Sequence, residues 1–100
     1  MKTEADNKSL QTGAWVLYIL ECGDKTLYTG ITTNLTSRIK AHNKGTAARY
    51  TRAHLPVKLA YTETCASHSL ALQREYAVKQ LKRSEKLSLI NNSRKRTRKK

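Results

Sequence analysis

The chain has 100 residues, enough for one domain, and 38% of them are hydrophobic, a lean fraction that allows one compact core. Twenty lysines and arginines oppose seven acidic residues, and the net charge of +13 favours a polyanionic partner such as nucleic acid. No apolar run approaches the roughly 18 residues of a transmembrane helix, so the sequence predicts no membrane partner.

Charge and cysteine content indicate where such a protein would work. Six basic residues lie in 94–100, yet the rest of the chain keeps 14 bases against seven acids, so its body is basic as well. Cys22 and Cys65 form no C-x-x-C pair, which predicts free thiols in a reducing compartment. Residues 1–13 lack the apolar segment of a signal peptide and predict a flexible N-terminal tail. We therefore expect a cytoplasmic protein, and its charge would also suit the nucleoid.

The first structured segment is predicted to be a β-hairpin. Residues 15–21 are continuously apolar and too short for a typical helix, which indicates a buried strand. Turn-forming residues follow, and residues 27–31 predict a second, antiparallel strand. A hairpin centred near Gly23 would place Tyr18 and Tyr28 almost opposite each other, as neighbours on one face of the sheet.

A helix is predicted next, capped by Asn34 and ended by Gly45. Arg38 and His42 are four positions apart within it, so they would project from one helix face. The segment that follows, up to Leu55, predicts a short helix or an ordered loop.

The second half of the chain predicts one more strand and two helices, which makes an α+β fold. A strand begins after Pro56, and Ser67 or Ser69 can cap the helix behind it. The core-facing stripe of that helix is expected to comprise Leu70, Ala77, Leu81 and either Leu72 or Tyr76. A short last helix is expected from Ser84. Residues 92–100 are polar and basic and predict a disordered tail, which leaves 14–91 as the domain.

The polar side chains of this layout suit phosphodiester cleavage. That reaction needs a group that activates water, a cation against the developing charge, and a metal ligand, and Mg²⁺ requires only one or two carboxylates. The candidates are Tyr18, Tyr28, Arg38, His42 and Glu75. Each has a plain alternative: the tyrosines pack in a hairpin, Arg38 is solvated, His42 favours the helix dipole, and Glu75 pairs with Lys79 or Arg74.

The segment R-Y-T-R places Tyr50 between Arg49 and Arg52, which suits phosphate contacts combined with base stacking. An exposed basic turn without such a role is the alternative reading. The histidines and cysteines lack zinc-finger spacing, and no P-loop or nucleophile elbow is present.

The residues quoted so far resemble a known family. V-L-Y at 16–18 and Y-T-G at 28–30 look like the two halves of the GIY-YIG nuclease signature, and the helix with Arg38 and His42 follows at the expected interval. G-T-A-A-R-Y-T-R and the segments around Glu75 resemble the small stand-alone bacterial branch of that family, the UPF0213 type. The resemblance covers about residues 14–90.

The resemblance implies a three-stranded antiparallel sheet flanked by helices, and DNA cleavage by one-metal hydrolysis. Tyr18 would deprotonate the attacking water, with its pKa lowered by Arg38, Lys79 or the metal. Tyr28 would orient water or a phosphate oxygen, and Arg38 would stabilise charge on the phosphate. His42 would assist positioning or proton transfer, and Glu75 would hold Mg²⁺ or Mn²⁺.

The resemblance also bears on substrate contacts. Gly30 would allow a close approach of substrate, and Lys79 and Lys82 would join the R-Y-T-R residues in binding nucleic acid. Branched or single-stranded DNA would be cut by structure or without specificity, because a bare domain has little surface for base readout. A protein partner is an open option.

The chain departs from the family signature at Val16 and Thr29, and neither Asn91 nor Asn92 is matched to an asparagine that many members use. The alternative is therefore a catalytically weak DNA- or RNA-binding module that assists a partner nuclease in repair or recombination. A basic ribonucleoprotein component is the third hypothesis.

Overall fold

The computed structural model describes the backbone of residues 14–98 and the side chains up to residue 93. The predicted N-terminal tail, residues 1–13, lies outside the described residues. The elements in chain order are β1 (Trp15–Glu21), β2 (Leu27–Thr32), α1 (Leu35–Lys44), α2 (Arg49–Arg52), β3 (Lys58–Cys65), α3 (His68–Lys79) and α4 (Arg83–Arg98). No helix within the described part of the chain combines the length and apolar character needed to cross a membrane.

The sheet has three antiparallel strands in the order β2-β1-β3, flanked by helices, so the predicted fold class is confirmed. The central strand is apolar throughout because both of its faces are covered. Leu17 and Ile19 pack against Val78 of α3 and against α4. On the other face Tyr18 and Leu20 share a cluster with Leu35 of α1 and with Val57.

The hairpin register differs from the predicted one. Tyr18 pairs with Gly30, and Tyr28 pairs with Leu20, so the two tyrosines share a face but are not opposite each other. The turn is centred on Asp24, whose carboxylate accepts hydrogen bonds from the backbone N–H and the hydroxyl of Thr26, at 3.2 Å and 2.6 Å. This Asx-type turn moves the centre one residue past Gly23 and each strand pair by two residues.

Local capping rules hold for the two helices that carry the candidate residues. The side chain of Asn34 accepts a hydrogen bond from the N–H of Ser37 at 3.1 Å, and Gly45 ends α1 in the left-handed conformation with φ of 83°. Ser67 caps α3 by accepting from the N–H of Leu70 at 3.1 Å. The predictions of these caps are confirmed.

The predicted core stripe of α3 is largely wrong. Ala71 and Val78 are buried, whereas Leu70, Leu72 and Tyr76 are 48%, 47% and 69% exposed. Small side chains bring α3 close to the sheet, and the same helix face carries Arg74 and Glu75, four and three residues before Val78. These two charged side chains are tolerated there because each has an oppositely charged partner, Glu63 for Arg74 and Lys79 for Glu75.

The last helix is longer than the sequence suggested. It spans 16 residues and continues to Arg98, where a disordered tail had been predicted from Asn92 onward. Its start is fixed by Glu85, whose carboxylate accepts a hydrogen bond from the backbone N–H of Lys82 at 2.8 Å. Lysine and arginine have good helix propensity, so the basic composition that predicted a solvated tail is equally compatible with continued helix.

A partly buried ion pair between Glu63 of β3 and Arg74 of α3 supplies a test of this packing. Arg74 donates to both carboxylate oxygens of Glu63 at 2.8 Å, and the Tyr61 hydroxyl donates to the same carboxylate at 2.5 Å. The hydrogen bonds from Arg74 hold the pKa of Glu63 below its ordinary value of 4.5. Burial and then Glu63 raise the pKa of Tyr61 to about 12.

Replacing Arg74 by methionine is expected to lower the free energy of unfolding by about 1 kcal/mol at pH 7. This is the contribution of a hydrogen bond between charged groups, reduced because both side chains are partly exposed. Because the folded-state pKa of Glu63 is depressed, this contribution is present at neutral pH and is lost as the pH falls below 4.5. Urea titrations at pH 7 and pH 3 measure both values. Lys58→Met is the control, since its exposed ammonium lies 3.9 Å from Glu21. An Arg74→Met penalty that is the same at both pH values would contradict the assignment.

Candidate active site

The centre of the site is a buried hydrogen bond between β1 and α1. The hydroxyl of Tyr18 lies 2.9 Å from Nε2 of His42, and the two residues are 2% and 1% exposed. Tyr18 occupies the middle of the central strand, and His42 lies in the last turn of α1. The sheet holds Tyr18 and α1 holds His42, so the packing of these two elements sets the geometry of the pair.

The imidazole of His42 is bonded at its second nitrogen as well. Nδ1 lies 2.8 Å from Oγ1 of Thr51 in α2, and this hydroxyl in turn donates to the carbonyl oxygen of Ala48 at 3.2 Å. Thr51 is fully buried. A continuous hydrogen-bonded chain therefore runs from Tyr18 through His42 and Thr51 to the backbone of Ala48.

The pKa shifts of this pair differ from the expectation that Arg38 and Lys79 would make Tyr18 acidic. Burial raises the pKa of Tyr18 well above 10, Tyr28 and Glu75 raise it further, and Arg38 lowers it only in part. Burial, and then Arg38, hold the pKa of His42 below 6.5. At neutral pH the phenol is therefore protonated and the imidazole is neutral, so His42 has one N–H and one bare nitrogen.

Aromatic rings continue the site toward α2. The ring of Tyr28 lies 6.5 Å from that of Tyr18 and 5.2 Å from that of His42, centroid to centroid. Tyr50 is parallel to Tyr28 at 6.2 Å and stacks on His54 at 4.2 Å. Half-buried Tyr28 thus joins the Tyr18–His42 pair to the exposed Tyr50.

The charged members of the site come from helices on opposite faces of the sheet. Arg38 is exposed on α1, and its charge acts on both Tyr18 and His42. Glu75 projects from α3, which packs on β1 and β2, and its carboxylate acts on Tyr18. The carboxylate is also paired with Lys79 at 3.2 Å, the contact expected of a helical i, i+4 pair.

Gly30 explains how the Tyr18 phenol reaches past the edge strand. It lies directly across from Tyr18, and a Cβ atom built on Gly30 would be 2.5 Å from the tyrosine Oη and 2.7 Å from its Cζ. A side chain at this position would therefore occupy the space of the phenol. The close approach that the sequence predicted is made by a side chain of the protein itself.

Replacing Gly30 by alanine is expected to destabilise the fold by about 1–3 kcal/mol, the usual cost of overpacking, because the buried Tyr18 ring must move. The free energy of unfolding from urea titration gives the value. The same substitution in a Tyr18→Leu background is the control, since the shorter side chain removes the phenol from the contact. An equal cost in both backgrounds would show that Tyr18 is not the obstacle.

Several predicted residues lie apart from the centre. Arg49 and Arg52 are exposed and border a shallow depression with residues 45–48, on the side of α2 away from Thr51 in the chain of contacts. Lys82 is exposed between α3 and α4. Asn92 lines a cleft with β3, the edge opposite β2, so it does not supply the unmatched asparagine to the Tyr18 region.

Sequence reasoning did not identify Thr51 and His54 as members of this site. Thr51 was seen only as a spacer within R-Y-T-R, and its contact with His42 depends on the reversal of the chain at Gly45. His54 contacts Tyr50 through a stacked ring and through its carbonyl oxygen at 2.7 Å. The spacing of four between Tyr50 and His54 was the one signal available.

The donor set decides which metal the site fits. Among the described residues no cluster of three or more histidine, cysteine, aspartate or glutamate side chains could hold an ion. Glu75 offers a single, 21% exposed carboxylate whose charge acts on the phenol. One carboxylate completed by water and phosphate oxygens suits Mg²⁺ or Mn²⁺, whereas a structural zinc site needs four protein ligands. Glu75 therefore fits the expected role.

Comparison with known proteins agrees with the fold. The sequence model of the GIY-YIG catalytic domain family matches residues 14–88. The chain therefore belongs to the GIY-YIG family, a class of nuclease-type domains. Within that family it is similar to UPF0213 proteins, as its sequence predicted. One from Desulfotalea psychrophila is 53% identical over 83 residues, 82% of this chain and 76% of that protein.

Further relatives extend the comparison to solved structures. A UPF0213 protein of Clostridium perfringens is 53% identical over 76 residues, 76% of this chain and 82% of its own. The solution NMR structure of the UPF0213 protein from Bacillus halodurans is 42% identical, with a TM-score of 0.52 over 78% of this chain and 83% of that one. An NMR structure from E. faecalis is 35% identical, with a TM-score of 0.57 and coverages of 81% and 86%.

Proposed function

We propose that the protein is a divalent-metal-dependent DNA endonuclease that hydrolyses phosphodiester bonds. The observation that carries this proposal is the buried Tyr18–His42 hydrogen bond of 2.9 Å, and the charges of Arg38 and Glu75 both act on its phenol. A protonated phenol bonded to a neutral imidazole can accept a proton from water while it passes its own proton on.

In the proposed step, a proton relay through Tyr18 activates water for attack on the phosphodiester. The Tyr18 oxygen takes a proton from the attacking water while the Tyr18 proton moves to Nε2 of His42. The resulting hydroxide attacks phosphorus, and the bond from phosphorus to the leaving oxygen breaks with its electron pair on that oxygen. The leaving oxygen takes a proton from solvent water, and His42 returns the proton it received to solvent. Coupled transfer avoids a free phenolate, which the raised pKa of Tyr18 makes costly. Mg²⁺ or Mn²⁺ bound at Glu75 would supply Lewis-acid stabilisation of the phosphate and of water.

The remaining residues would position the substrate. Arg38 is exposed beside the phenol and would pair with the phosphate oxygens, where negative charge grows in the transition state. Tyr28 borders both Tyr18 and His42, so its hydroxyl would orient the water or a phosphate oxygen. We assign nucleic-acid contacts to the exposed residues Arg49, Tyr50, Arg52, Lys79 and Lys82.

Substrate choice follows from the small size of the domain. Phosphate contacts fix position without reading sequence, so we propose cleavage that is structure-selective or non-specific, on branched, flapped or single-stranded DNA. The net charge of +13 supports DNA as the partner. We further propose that the protein works in the cytoplasm, at or near the nucleoid.

A second candidate is a catalytically weak DNA- or RNA-binding module that assists a partner nuclease. The position of Asn92 beside β3, away from Tyr18, favours it, because this candidate for the asparagine used by many members of the family then does not reach the site. The intact pair of Tyr18 and His42 argues against it.

The two candidates are separated by a cleavage assay with Mg²⁺, with Mn²⁺ and with a chelator. Single-stranded, duplex, flapped and branched DNA are compared, with structured RNA as a binding competitor. The nuclease proposal predicts metal-dependent cutting by the wild-type protein and none by Glu75→Gln, although both bind DNA. Tight binding without cutting of any substrate would favour the module, and preference for structured RNA would point to a ribonucleoprotein.

A further inference from the structure

The catalytic pair depends on which nitrogen of His42 carries the proton. Neutral imidazole has one N–H and one bare nitrogen, and only a bare Nε2 can accept the proton of Tyr18. With the opposite tautomer, Nε2–H would donate to the phenol oxygen and block the transfer. Something in the fold must therefore select one tautomer.

Thr51 is the group in contact with the other nitrogen. Its hydroxyl has a single proton, which is directed to the carbonyl oxygen of Ala48 at 3.2 Å. With its proton on that carbonyl, a lone pair of Oγ1 faces Nδ1 of His42 at 2.8 Å and accepts the proton of an Nδ1–H group. The Thr51 hydroxyl is thus oriented by the backbone carbonyl of Ala48, three residues earlier in the sequence.

The Tyr18 end of this series of hydrogen bonds indicates the same direction of proton donation. Among the described residues, Nε2 of His42 is the only hydrogen-bond partner of the Tyr18 hydroxyl, which is 2% exposed. A buried phenol proton needs an acceptor, so Tyr18 donates and Nε2 is bare. The proton of the imidazole is then on Nδ1 and is donated to Thr51. Every proton of this hydrogen-bonded series has an acceptor in this arrangement, whereas reversing it would leave the buried phenol proton of Tyr18 without an acceptor among the described residues.

We propose that Thr51 is a positioning residue that holds His42 in the Nδ1-protonated tautomer and thereby keeps Nε2 ready to accept the proton of Tyr18. The consequence for catalysis rests on the proposed nuclease function, whereas the tautomer itself does not. This role would place a DNA-binding surface and a positioning residue on one helix. Thr51 of α2 is buried, and the other three residues of that helix are exposed: Arg49, Tyr50 and Arg52. Substrate held by α2 would thus be held by the helix that orients His42.

The test is ¹⁵N NMR of the imidazoles in the full chain, without metal or DNA, at a pH above 7 where His42 is neutral. His54→Gln and His68→Gln variants assign the signals. The wild-type protein is expected to carry its His42 proton on Nδ1. Thr51→Val keeps the shape of the side chain but cannot accept, so the Nε2-protonated form should become populated. Thr51→Ser should restore the wild-type tautomer, and Thr46→Val, which removes an exposed hydroxyl of similar local bonding, should change nothing.

Cleavage by the same variants tests the consequence. Thr51→Val is expected to lower kcat roughly 10- to 100-fold with a smaller change in KM, the range seen when an outer partner of a functional histidine is removed. Thr51→Ser should recover most of the rate. A wild-type proton on Nε2, an unchanged tautomer in Thr51→Val, or an altered tautomer with an unchanged rate would each overturn the proposal.

Two further outcomes are also decided by this design. If the wild-type protein cleaves no DNA, the proposed function fails, but the tautomers of the wild type and of Thr51→Val still support or overturn the positioning role. If Thr51→Val does not fold, the wild type and Thr51→Ser test the proposal: a His42 proton on Nδ1 in both proteins supports it, and a proton on Nε2 in either overturns it.

Discussion

Phenylalanine in place of Tyr18 is expected to lower kcat about 10²- to 10⁴-fold, the usual contribution of a positioned acid–base group. This corresponds to roughly 3–5 kcal/mol of transition-state stabilisation. The ring remains to fill the core, but the proton path from water to His42 is removed. KM should change little, because the buried hydroxyl offers no surface to the DNA backbone. Single-turnover rates on the best substrate measure the loss.

The pH dependence separates proton transfer from a packing defect. The pKa of His42 lies below 6.5, so the wild-type rate should fall as the pH drops through that lowered value and the imidazole becomes protonated. The residual rate of Tyr18→Phe should lack this acidic limb. Tyr61→Phe is the matched control, because it removes another hydrogen-bonded phenol of the same sheet on the face away from His42. A rate loss for Tyr18→Phe with an unchanged pH profile would contradict the relay.

Glutamine in place of Glu75 is expected to reduce cleavage at least about 10³-fold, since metal activation contributes several kcal/mol and a neutral amide is a poor ligand for Mg²⁺. DNA binding in the presence of chelator should be retained, because the change removes a negative charge beside Lys79. Mn²⁺ binding followed by paramagnetic resonance should weaken in parallel with activity. This parallel loss identifies the carboxylate as a ligand.

Glu85→Gln is the control for Glu75→Gln. Glu85 lies in the first turn of α4, where its carboxylate accepts a hydrogen bond from Lys82 N–H, and an amide oxygen can accept the same bond. Neither Mn²⁺ binding nor cleavage should change. If Glu75→Gln kept wild-type Mn²⁺ affinity while losing activity, Glu75 would have a role other than metal binding, and the metal site would lie elsewhere.

Local sequence rules predicted much of the scaffold. The apolar run of β1, the Asn34 cap and the Gly45 stop each depend on residues within a few positions, so the chain could be divided correctly without any tertiary contact. The hairpin register was wrong because one side chain, Asp24, decides the turn. The α3 stripe was wrong because ion pairs to Glu63 and Lys79 allow charged residues on the sheet-facing side.

The sequence by itself determined the family, the basic character and the identities of the tyrosines, Arg38, His42 and Glu75, because these follow from residue type and spacing. Only the tertiary structure decided what these residues do to one another. Burial between sheet and α1 keeps the proton on Tyr18, although Arg38 acts in the opposite direction. The contact of Thr51 with His42 exists only because α2 packs back on α1, and no local rule relates two side chains across such a reversal. Desolvation and long-range hydrogen bonds depend on the whole packed core, which is why they could not be read from the sequence.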